Sequence, residues 1–362
     1  MNLTEITIQN IRVIRWSKLI PAKGLNVFVG PNGSGKTSIL EGIHLLGVGR
    51  SFRGRVCGTI ITQGEENCTV SGVVDSGMGK GLRMGIEKRK YGSRARIEGK
   101  EVTKASELAR NLPLLILPPD AQRLLTTGIK ERQRFLDWML FHVEPSYFSL
   151  LYRYYRALRQ RNATLRQPNN SSLLSAWDEE LGNLGGLVDK HRKESAETLL
   201  PMLCQSLSSI MEIEVAMKYT SGWSVNRPLV EVLRERVKVD QKLGYTSQGP
   251  HRGDLHLTVQ GIPASQRLSR GETKQLVLAL VFAQAKYLSE KVGTTPVLLL
   301  DELTAELDEQ SQDRVFQALM ALQVQAFITM VSEQKLDNMV WSEGRMFHVE
   351  RGIVKKFKRT LS

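Results

Sequence analysis

The sequence predicts an α/β fold that is interrupted by a mainly helical insert, and three observations predict it. The apolar residues 25–29 precede a glycine-rich segment, residues 30–37, which fits the pattern G-x-x-x-x-G-K-[ST]. A second apolar segment, residues 298–300, ends in two acidic residues. Between them, residues 119–240 place apolar side chains at helical spacing. A β-rich part and an open sheet with helices are therefore expected on either side of a helical lobe.

The length of 362 residues allows two or three lobes with sizeable cores. We predict an N-terminal part of the main domain over residues 1–118, the inserted lobe over residues 119–240 and a C-terminal part over residues 241–362. The insert shows no heptad pattern over several repeats, so no long coiled coil is expected.

The composition favours a polyanionic partner, because the formal net charge is +13 and the sequence pI is about 9.7. The cysteines, Cys57, Cys68 and Cys204, are odd in number and widely spaced, which indicates neither a disulfide framework nor a zinc site. No run of eighteen apolar residues and no signal-peptide pattern occurs. We therefore expect a soluble protein of the reducing cytoplasm, with no membrane partner.

The glycine-rich segment is typical of a phosphate-binding loop. Its glycines allow successive backbone N–H groups to face phosphate oxygens, and the helix that follows adds its positive end. Lys36 would bridge the β and γ phosphates, and the Thr37 hydroxyl would coordinate Mg²⁺. A chance glycine-rich turn is the alternative, and the complete set of fixed positions disfavours it. The predicted nucleotide-binding residues are Gly30, Pro31, Asn32, Gly33, Ser34, Gly35, Lys36, Thr37 and Ser38.

The second apolar segment would present Asp301 and Glu302 at the edge of the sheet where ligands bind. Asp301 suits Mg²⁺ held through water. Glu302 suits a general base that polarises the water attacking the γ-phosphate. A strand that ends in two acids could instead cap a following helix, so this interpretation depends on the phosphate-binding loop upstream.

A third segment, residues 268–272, begins an apolar helix with the sequence Leu-Ser-Arg-Gly-Glu. Ser269 and the adjacent glycine could offer a hydroxyl and backbone N–H groups to an anion. An ordinary serine N-cap with Glu272 in the first turn is the alternative, and this motif alone favours it.

Basic residues are concentrated in three places. The first is an alternating stretch around the turn Tyr91–Ser93, which predicts a basic hairpin with Arg83, Lys88, Arg89, Lys90, Arg94, Arg96 and Lys100. The second is Arg50, Arg53 and Arg55, beyond the helix that follows the phosphate-binding loop, where they could face nucleotide or nucleic acid. The third is a helical stripe of Arg153, Arg156, Arg159 and Arg161, predicted to lie opposite Phe148, Leu151, Tyr155 and Leu158.

Each cluster alone is more typical of a solvated face than of a phosphate contact, but together they favour nucleic acid. The DNA-contact candidates are Arg50, Arg53, Lys88, Arg89, Arg94 and Arg96.

The chain resembles the ABC-type P-loop ATPase head in the order of its segments. These are the phosphate-binding loop, the inserted lobe, Leu-Ser-x-Gly-Glu, the acidic strand and residues 305–308. Within that superfamily the chain is similar to the RecF family of bacterial recombination mediators. The likeness covers most of the chain. It includes residues 6–12, 49–53, 134–137, 159–162, 249–252 and 301–303, several of which lie outside the generic ATPase motifs.

This resemblance implies ATP and Mg²⁺ as ligands and a site completed by a second subunit, with Leu268, Ser269, Arg270, Gly271 and Asp308 acting in trans. It implies a weak, DNA-stimulated ATPase whose ATP-bound form dimerises head to head on single-stranded and duplex DNA at gaps. RecR and RecO are the expected partners in loading RecA where single-stranded-DNA-binding protein covers the strand. The implied processes are repair, replication-fork recovery and the SOS response.

Some positions depart from the wider ABC pattern. Arg270 stands where transporters usually have Gly, and Glu272 stands where they usually have Gln. Residues 327–332 offer no histidine at the usual switch position, and Gln122 is only a candidate for the glutamine that couples nucleotide to the helical lobe.

Three alternatives are weighed. A transporter ATPase subunit is disfavoured by the helical insert, Arg270 and the basic charge. A chromosome-organising ATPase is disfavoured by the missing coiled coil. A nucleotide-independent DNA-binding protein is disfavoured by the full set of Lys36, Thr37, Asp301 and Glu302.

Overall fold

The computed structural model describes residues 1–53, 57–75, 77, 79, 81–118, 120–167, 171–332 and 344–357. The chain divides into two compact units. The head unit comprises Met1–Ala121 and Gly293–Ser362, and the helical unit comprises Gln122–Val292. The head unit is thus built from the two ends of the chain, as the sequence predicts for an interrupted domain.

The head unit contains two six-stranded sheets. The first is antiparallel throughout its described strands and has the order β2-β1-β4-β5-β6-β7. Its strands are β1 (Asn2–Ile11), β2 (Ile14–Leu19), β4 (Asn67–Asp75), β5 (Leu82–Arg89), β6 (Ser93–Ile97) and β7 (Lys100–Val102).

The second sheet of the head unit has the order β15-β14-β3-β13-β12-β8 and is parallel except at β15. Its strands are β3 (Leu25–Val29), β8 (Leu114–Leu117), β12 (Val297–Leu300), β13 (Ala326–Met330), β14 (Arg345–Glu350) and β15 (Ile353–Lys356). All residues of β3, β12 and β13 are buried, which is the pattern of central parallel strands.

Helix α1 (Lys36–Val48) packs between these two sheets in one hydrophobic core. Two of its glycines permit the close approach. A Cβ at Gly42 would lie 2.9 Å from the side chain of Ile8 in β1, and a Cβ at Gly47 would lie 2.6 Å from that of Leu114 in β8. The head unit also contains α2 (Ala105–Asn111) and α11 (Glu309–Ala321).

The helical unit consists mainly of helices around the 40-residue α6 (Ser171–Ile210), against which α4 (Ile129–Val143), α5 (Tyr147–Leu165), α7 (Leu229–Glu235) and α10 (Arg270–Val292) pack. Shorter helices are α3 (Arg123–Thr126), α8 (Val237–Leu243) and α9 (Ala264–Arg267). A small antiparallel sheet has the order β11-β10-β9, with β9 (Ala216–Thr220), β10 (Asp254–Val259) and β11 (Ile262–Pro263).

The division of the chain differs from the expected boundary at residues 240/241. Residues 241–292 belong to the helical unit, because α10 packs against α4 and α6. The Gln284 side chain donates to the Phe135 carbonyl at 2.9 Å, and the Tyr287 and Ser195 hydroxyls lie 3.1 Å apart. The helical unit therefore carries the Leu-Ser-Arg-Gly-Glu segment, which the sequence placed in the C-terminal part of the head.

The predicted stripe on α5 requires a correction at Arg161, which is 0% exposed. Its guanidinium forms ion pairs with Asp178 at 2.6 Å and Asp240 at 2.7 Å, and it donates to the Thr246 hydroxyl at 2.9 Å. The buried face of α5 is formed by Tyr147, Tyr154, Ala157, Leu158, Arg161, Thr164 and Leu165, whereas Phe148 is exposed. Arg161 therefore joins α5 to α6 and α8.

We expect Arg161→Ala to lower the free energy of unfolding by about 3–5 kcal/mol, because it leaves two buried carboxylates without their cation. Arg153→Ala on the same helix is the matched control, since Arg153 pairs with Glu180 at the surface and such pairs contribute about 1 kcal/mol or less. Urea unfolding followed by circular dichroism measures both. Equal midpoints for the two variants would contradict the structural role of Arg161.

Candidate nucleotide site

The glycine-rich segment forms a tight loop between β3 and α1. Gly33 and Gly35 have φ angles of 77° and 113°, which is the left-handed region that favours glycine. A Cβ at Gly30 would collide with the carbonyl oxygen of Val349. These positions therefore require glycine for backbone reasons, and the loop leads directly into the N-terminus of α1.

The Lys36 ammonium group lies over this loop and is largely buried. It donates hydrogen bonds to the carbonyl oxygens of Gly30 at 2.6 Å and Pro31 at 2.9 Å. Burial lowers the pKa of Lys36 from its usual value, and the nearby carboxylates of Glu302 and Asp301 oppose that shift. Lys36 is therefore a cation on the loop that the sequence predicts to bind phosphate, and it lies close to the two acids that follow β12.

Asp301 is completely buried beside the start of α1. Its Oδ1 accepts hydrogen bonds from the Thr37 hydroxyl at 3.1 Å and from the Thr329 hydroxyl at 2.6 Å. Its Oδ2 is buried with no hydrogen-bond partner among the described residues. Burial raises the pKa of Asp301, while the two hydroxyl hydrogen bonds act in the opposite direction. The structure thus joins two segments that lie 264 residues apart in the sequence.

Thr329 is a site residue that sequence reasoning missed. Its hydroxyl also accepts a hydrogen bond at 2.8 Å from the backbone N–H of Glu302, which has a positive φ of 49°. Thr329 therefore connects the carboxylate of one acid to the backbone of the next. The signal was present in the sequence, because Thr329 is the only hydroxyl residue in the strand Ala-Phe-Ile-Thr-Met, whose residues are all buried.

Ser269 and Glu272 form a reciprocal N-terminal cap of α10. The Ser269 N–H donates to the Glu272 carboxylate at 2.8 Å, and the Glu272 N–H donates to the Ser269 hydroxyl at 3.3 Å. These hydrogen bonds lower the pKa of Glu272. The structure therefore realises the capping arrangement that was the alternative interpretation. It also leaves Ser269 and Arg270 exposed, with Leu268 and Gly271 half-buried.

Asp308 caps the N-terminus of α11. Its two carboxylate oxygens accept hydrogen bonds from the N–H of Ser311 at 2.8 Å and from the Ser311 hydroxyl at 2.9 Å. The hydrogen bond from the backbone N–H is the main cause that lowers the pKa of Asp308. The side chain thus has a local structural role in this chain.

The predicted basic hairpin is present, because β5 and β6 pair from Met84–Ile97 to Lys88–Ser93. Arg94 and Arg96 are exposed, and Arg89 pairs with Glu87 at 2.5 Å. Lys88 needs a correction, because it is only 8% exposed and donates to the Gly49 carbonyl at 3.2 Å. The two-residue period of a strand places Lys88 on the same buried face as Met84 and Ile86.

The other DNA candidates follow α1. Arg50 and Arg53 are exposed, and the segment between them is tied to α1 because the Ser51 hydroxyl donates to the buried carboxylate of Glu41. Glu41 also binds the Arg12 guanidinium through two contacts of 3.0 Å. Burial raises the pKa of Asp301, and the positive charge of Arg53 is among the smaller effects that oppose this rise. Arg55 lies outside the described residues.

The described residues include no group of three or more His, Cys, Asp and Glu side chains that could hold a metal. In the same part of the chain, no helix has the length and apolar character needed to cross a membrane. Cys68 and Cys204 are free, and burial raises the pKa of Cys68 to about 11. Gln122 is exposed next to α3.

The phosphate-type loop before α1, the acidic strand end beside it, and a parallel sheet facing an antiparallel one define the ABC-type ATPase head. The predicted fold class is therefore confirmed, including the absence of a long coiled coil among the described residues. The family described as RecF/RecN/SMC N terminal domain matches residues 2–355. The chain belongs to the RecF family.

The curated relatives support this assignment over nearly the whole chain. A DNA replication and repair protein RecF from Vibrio vulnificus is 36% identical over 360 residues, covering 98% of this chain and 100% of the relative. A protein of the same description from Thioalkalivibrio sulfidiphilus is 38% identical over 357 residues, covering 98% and 99%.

Solved structures of RecF proteins are also similar to this chain. The recombination mediator protein RecF-ATPrS of the RecFOR pathway has a TM-score of 0.85 and 27% identity, and the match covers 99% of this chain and 98% of that one. An SmcHead bound to the C-winged helix domain of ScpA has a TM-score of 0.62 and 15% identity, over 100% of this chain and 98% of that one, and shares the fold alone.

We expect Thr329→Val to raise the Mg²⁺ concentration needed for nucleotide binding by about 10- to 100-fold, because residues that orient a metal-binding carboxylate have effects of this size. The change removes one hydrogen bond from Asp301 and leaves the Glu302 N–H without its acceptor. A Mg²⁺ titration with a fluorescent ATP analogue measures the shift. Thr329→Ser keeps the hydroxyl and is the control, and an unchanged Mg²⁺ dependence in Thr329→Val would refute the role of the hydroxyl.

Proposed function

We propose that this chain is an ATP-dependent, DNA-binding recombination mediator that acts in DNA repair, replication-fork recovery and SOS induction. The observation that carries the proposal is the hydrogen bond between Thr37 and Asp301 in a member of the RecF family. This hydrogen bond supports the proposal because it joins the loop that would bind phosphate to the acid that would bind Mg²⁺. Relatives named for replication and repair support the cellular process.

The head unit would bind ATP through the loop before α1. Phosphate oxygens would replace the Gly30 and Pro31 carbonyls as acceptors for the Lys36 ammonium group. The chain also fits Mg²⁺, because the Thr37 hydroxyl lies beside a buried carboxylate whose Oδ2 has no partner among the described residues. When bound beside Thr37 and Asp301, Mg²⁺ would supply positive charge that offsets the negative charge developing during transfer.

Glu302 would act as the general base that takes a proton from the attacking water. Its backbone is fixed by Thr329, and its charge influences Lys36 and Asp301, so it belongs to the same constellation. Water attack on the γ-phosphorus breaks its bond to the bridging oxygen and yields ADP and phosphate. We propose that this activity is weak and DNA-stimulated, and that it switches binding.

A second copy of the chain would complete the site through Ser269, Arg270 and Asp308. The exposed position of Ser269 at the start of a 23-residue helix supports this assignment. Its hydroxyl can accept the Glu272 N–H and still donate to a phosphate oxygen. ATP can drive dimerisation only if it contacts the closed dimer better than the separate monomers, and loss of the γ-phosphate would remove part of that difference.

DNA, RecR, RecO and RecA are the proposed partners in loading RecA at gaps. The +13 net charge supports the DNA part, and the RecFOR pathway named for two solved RecF structures supports the protein part. A transporter ATPase subunit and a chromosome-organising ATPase remain the alternative classes. Near-full-length similarity to RecF proteins favours the mediator.

We expect ATP to increase the retention of the chain on gapped duplex DNA, with a steep decrease as salt rises, because phosphate contacts release counterions. Fluorescence anisotropy with and without ATP measures this. Glu302→Gln, which removes the base, should prolong the ATP-bound state and keep the protein on DNA. Salt-insensitive binding, or equal binding with and without ATP, would reject the proposed function.

Ser269→Arg should abolish ATP-dependent dimerisation while leaving ATP affinity of the monomer nearly unchanged, because the altered side chain lies outside the loop that binds ATP in the same subunit. Analytical ultracentrifugation with and without ATP provides the measurement. Ser209→Arg, at an exposed serine of α6, adds the same charge and bulk and is the control. Normal dimerisation of the Ser269 variant with ATP would exclude completion of the site in trans.

A further inference from the structure

Part of the positive charge on helix α5 is not neutralised by an ion pair among the described residues. The sequence contains five arginines and no acidic residue between Glu144 and Asp178. An exposed helix is normally stabilised by pairs of opposite charge three or four residues apart, and like charges at that spacing are destabilising. A helix that keeps only arginines therefore indicates an anionic partner outside the helix.

The structure separates these arginines by their surroundings. Arg161 is buried and bonded to Asp178 and Asp240, and Arg153 pairs with Glu180. By contrast, Arg156 and Arg159 are exposed and make no ion pair or side-chain hydrogen bond within the described part of the chain. Within the described residues, the one side-chain hydrogen bond of Arg166, just after the helix, runs from its Nε to the Gly244 carbonyl at 2.9 Å.

Helical geometry places the three remaining arginines in one line. At about 100° per residue, Tyr152, Arg156, Arg159 and Arg166 fall within roughly 80° of the helix circumference. On the same count Arg161 lies about 180° from Tyr152, which agrees with its burial. We call the set of Arg156, Arg159 and Arg166 the arginine row.

The segment that Arg166 contacts also lacks acidic residues. Arg166 contacts Gly244, and the adjoining residues 241–253 contain no Asp or Glu. Within that segment the exposed Arg252 lies over the ring of Tyr245, 5.2 Å from its centre. The exposed Lys242 adds a further positive charge two residues before Gly244.

The row is also rigidly held. Arg161 ties α5 to Asp178 of α6 and to Asp240 of α8, and the Asn162 side chain accepts the N–H of Thr246 at 2.8 Å. The two ion pairs of Arg161 lie on the face of α5 opposite the row, and the Asn162 contact lies beside the row. The arginines are thus presented on a fixed support, which reduces the entropy lost when they bind an extended anion.

We infer that the arginine row binds the phosphate backbone of duplex DNA, a contact additional to the hairpin of the head unit. The inference rests on the proposed function, because it assigns a binding surface on this chain to the DNA that the proposed function requires. From Arg156 to Arg166 the helix rises about 15 Å, which corresponds to roughly four base pairs at 3.4 Å each. The row contacts phosphates and fixes the position of the duplex without reading its sequence.

Duplex DNA fits this surface better than a single strand. Single strands are held in grooves lined with aromatic side chains on which the bases stack. The row instead lies on the outer surface of one helix, with the exposed Tyr152 at one end. A straight row on a rigid helix matches duplex DNA, which is stiff over this distance.

The test compares two triple variants of the full chain. Arg156→Ala, Arg159→Ala and Arg166→Ala remove the row. The matched control, Arg153→Ala, Arg227→Ala and Arg234→Ala, removes the same charge from arginines of the helical unit that pair with acidic residues. Binding of a fluorescent ~40-base-pair duplex is titrated with ATP and Mg²⁺ at about 50 to 200 mM salt. The same titrations are run with single-stranded DNA of the same length and with polyglutamate.

In the row variant, the plot of log K against log salt should become shallower by about 2 to 3, because each lost phosphate contact reduces the magnitude of its slope by about 0.9. The control should keep the wild-type slope, and lysine at all three row positions should restore most of it. Dimerisation and ATP binding without DNA should be unchanged in the row variant, which separates DNA contact from misfolding.

Two outcomes would overturn the inference while the proposed function stands: an unchanged slope in the row variant, or a loss confined to single-stranded DNA. Normal duplex binding with lost binding of polyglutamate would assign the row to an acidic protein and also overturn it. If the wild-type chain itself shows no ATP-dependent, salt-dependent retention, the proposed function fails first. These results are distinguishable within one set of titrations.

Discussion

The buried carboxylate of Asp301 is the constraint on which the site depends. It receives hydroxyl groups from Thr37 at the start of α1 and from Thr329 at the end of β13, and it follows β12 itself. A carboxylate without these donors would be costly to bury. Its remaining oxygen has no partner among the described residues. The same interaction therefore closes the head unit from its two ends and leaves one acceptor available for a ligand.

Sequence signals were sufficient to predict those parts of the molecule that a few neighbouring residues determine. The phosphate-binding loop is set by glycine positions within eight residues, and the hairpin is set by alternation around one turn. Lys88 was included among the DNA-contact candidates although the two-residue period already placed it with Met84 and Ile86 on the buried face. The role of Arg161 could not be assigned from the sequence, because its partners lie on other elements of the chain. Thr329 stood out only as the hydroxyl residue of a buried strand, and the sequence did not show that its partner is Asp301.

The Leu-Ser-Arg-Gly-Glu segment shows that two interpretations of one motif can be compatible. Ser269 and Glu272 satisfy each other's backbone N–H groups, which is what a helix N-terminus requires. This cap fixes the serine at the first turn, and it uses the hydroxyl only as an acceptor. The hydroxyl hydrogen is left for another group. A stable cap is therefore a means of holding the donor at a constant place, not evidence against a ligand.

The helical unit carries both the signature segment and the arginine row, and both are mounted on the same helix. Helices α5 and α10 pack against α6, and the buried pairs of Arg161 hold α5 in place. Under the proposed function, any movement that brings Ser269 to a second subunit also moves the row as part of one body. DNA that contacts rows on two subunits would then favour one dimer geometry over the separate chains. By linkage, DNA stabilises that dimer geometry by the same free energy by which the geometry strengthens DNA binding. Under the proposed function, DNA could therefore strengthen ATP-dependent dimerisation without any contact between DNA and the nucleotide.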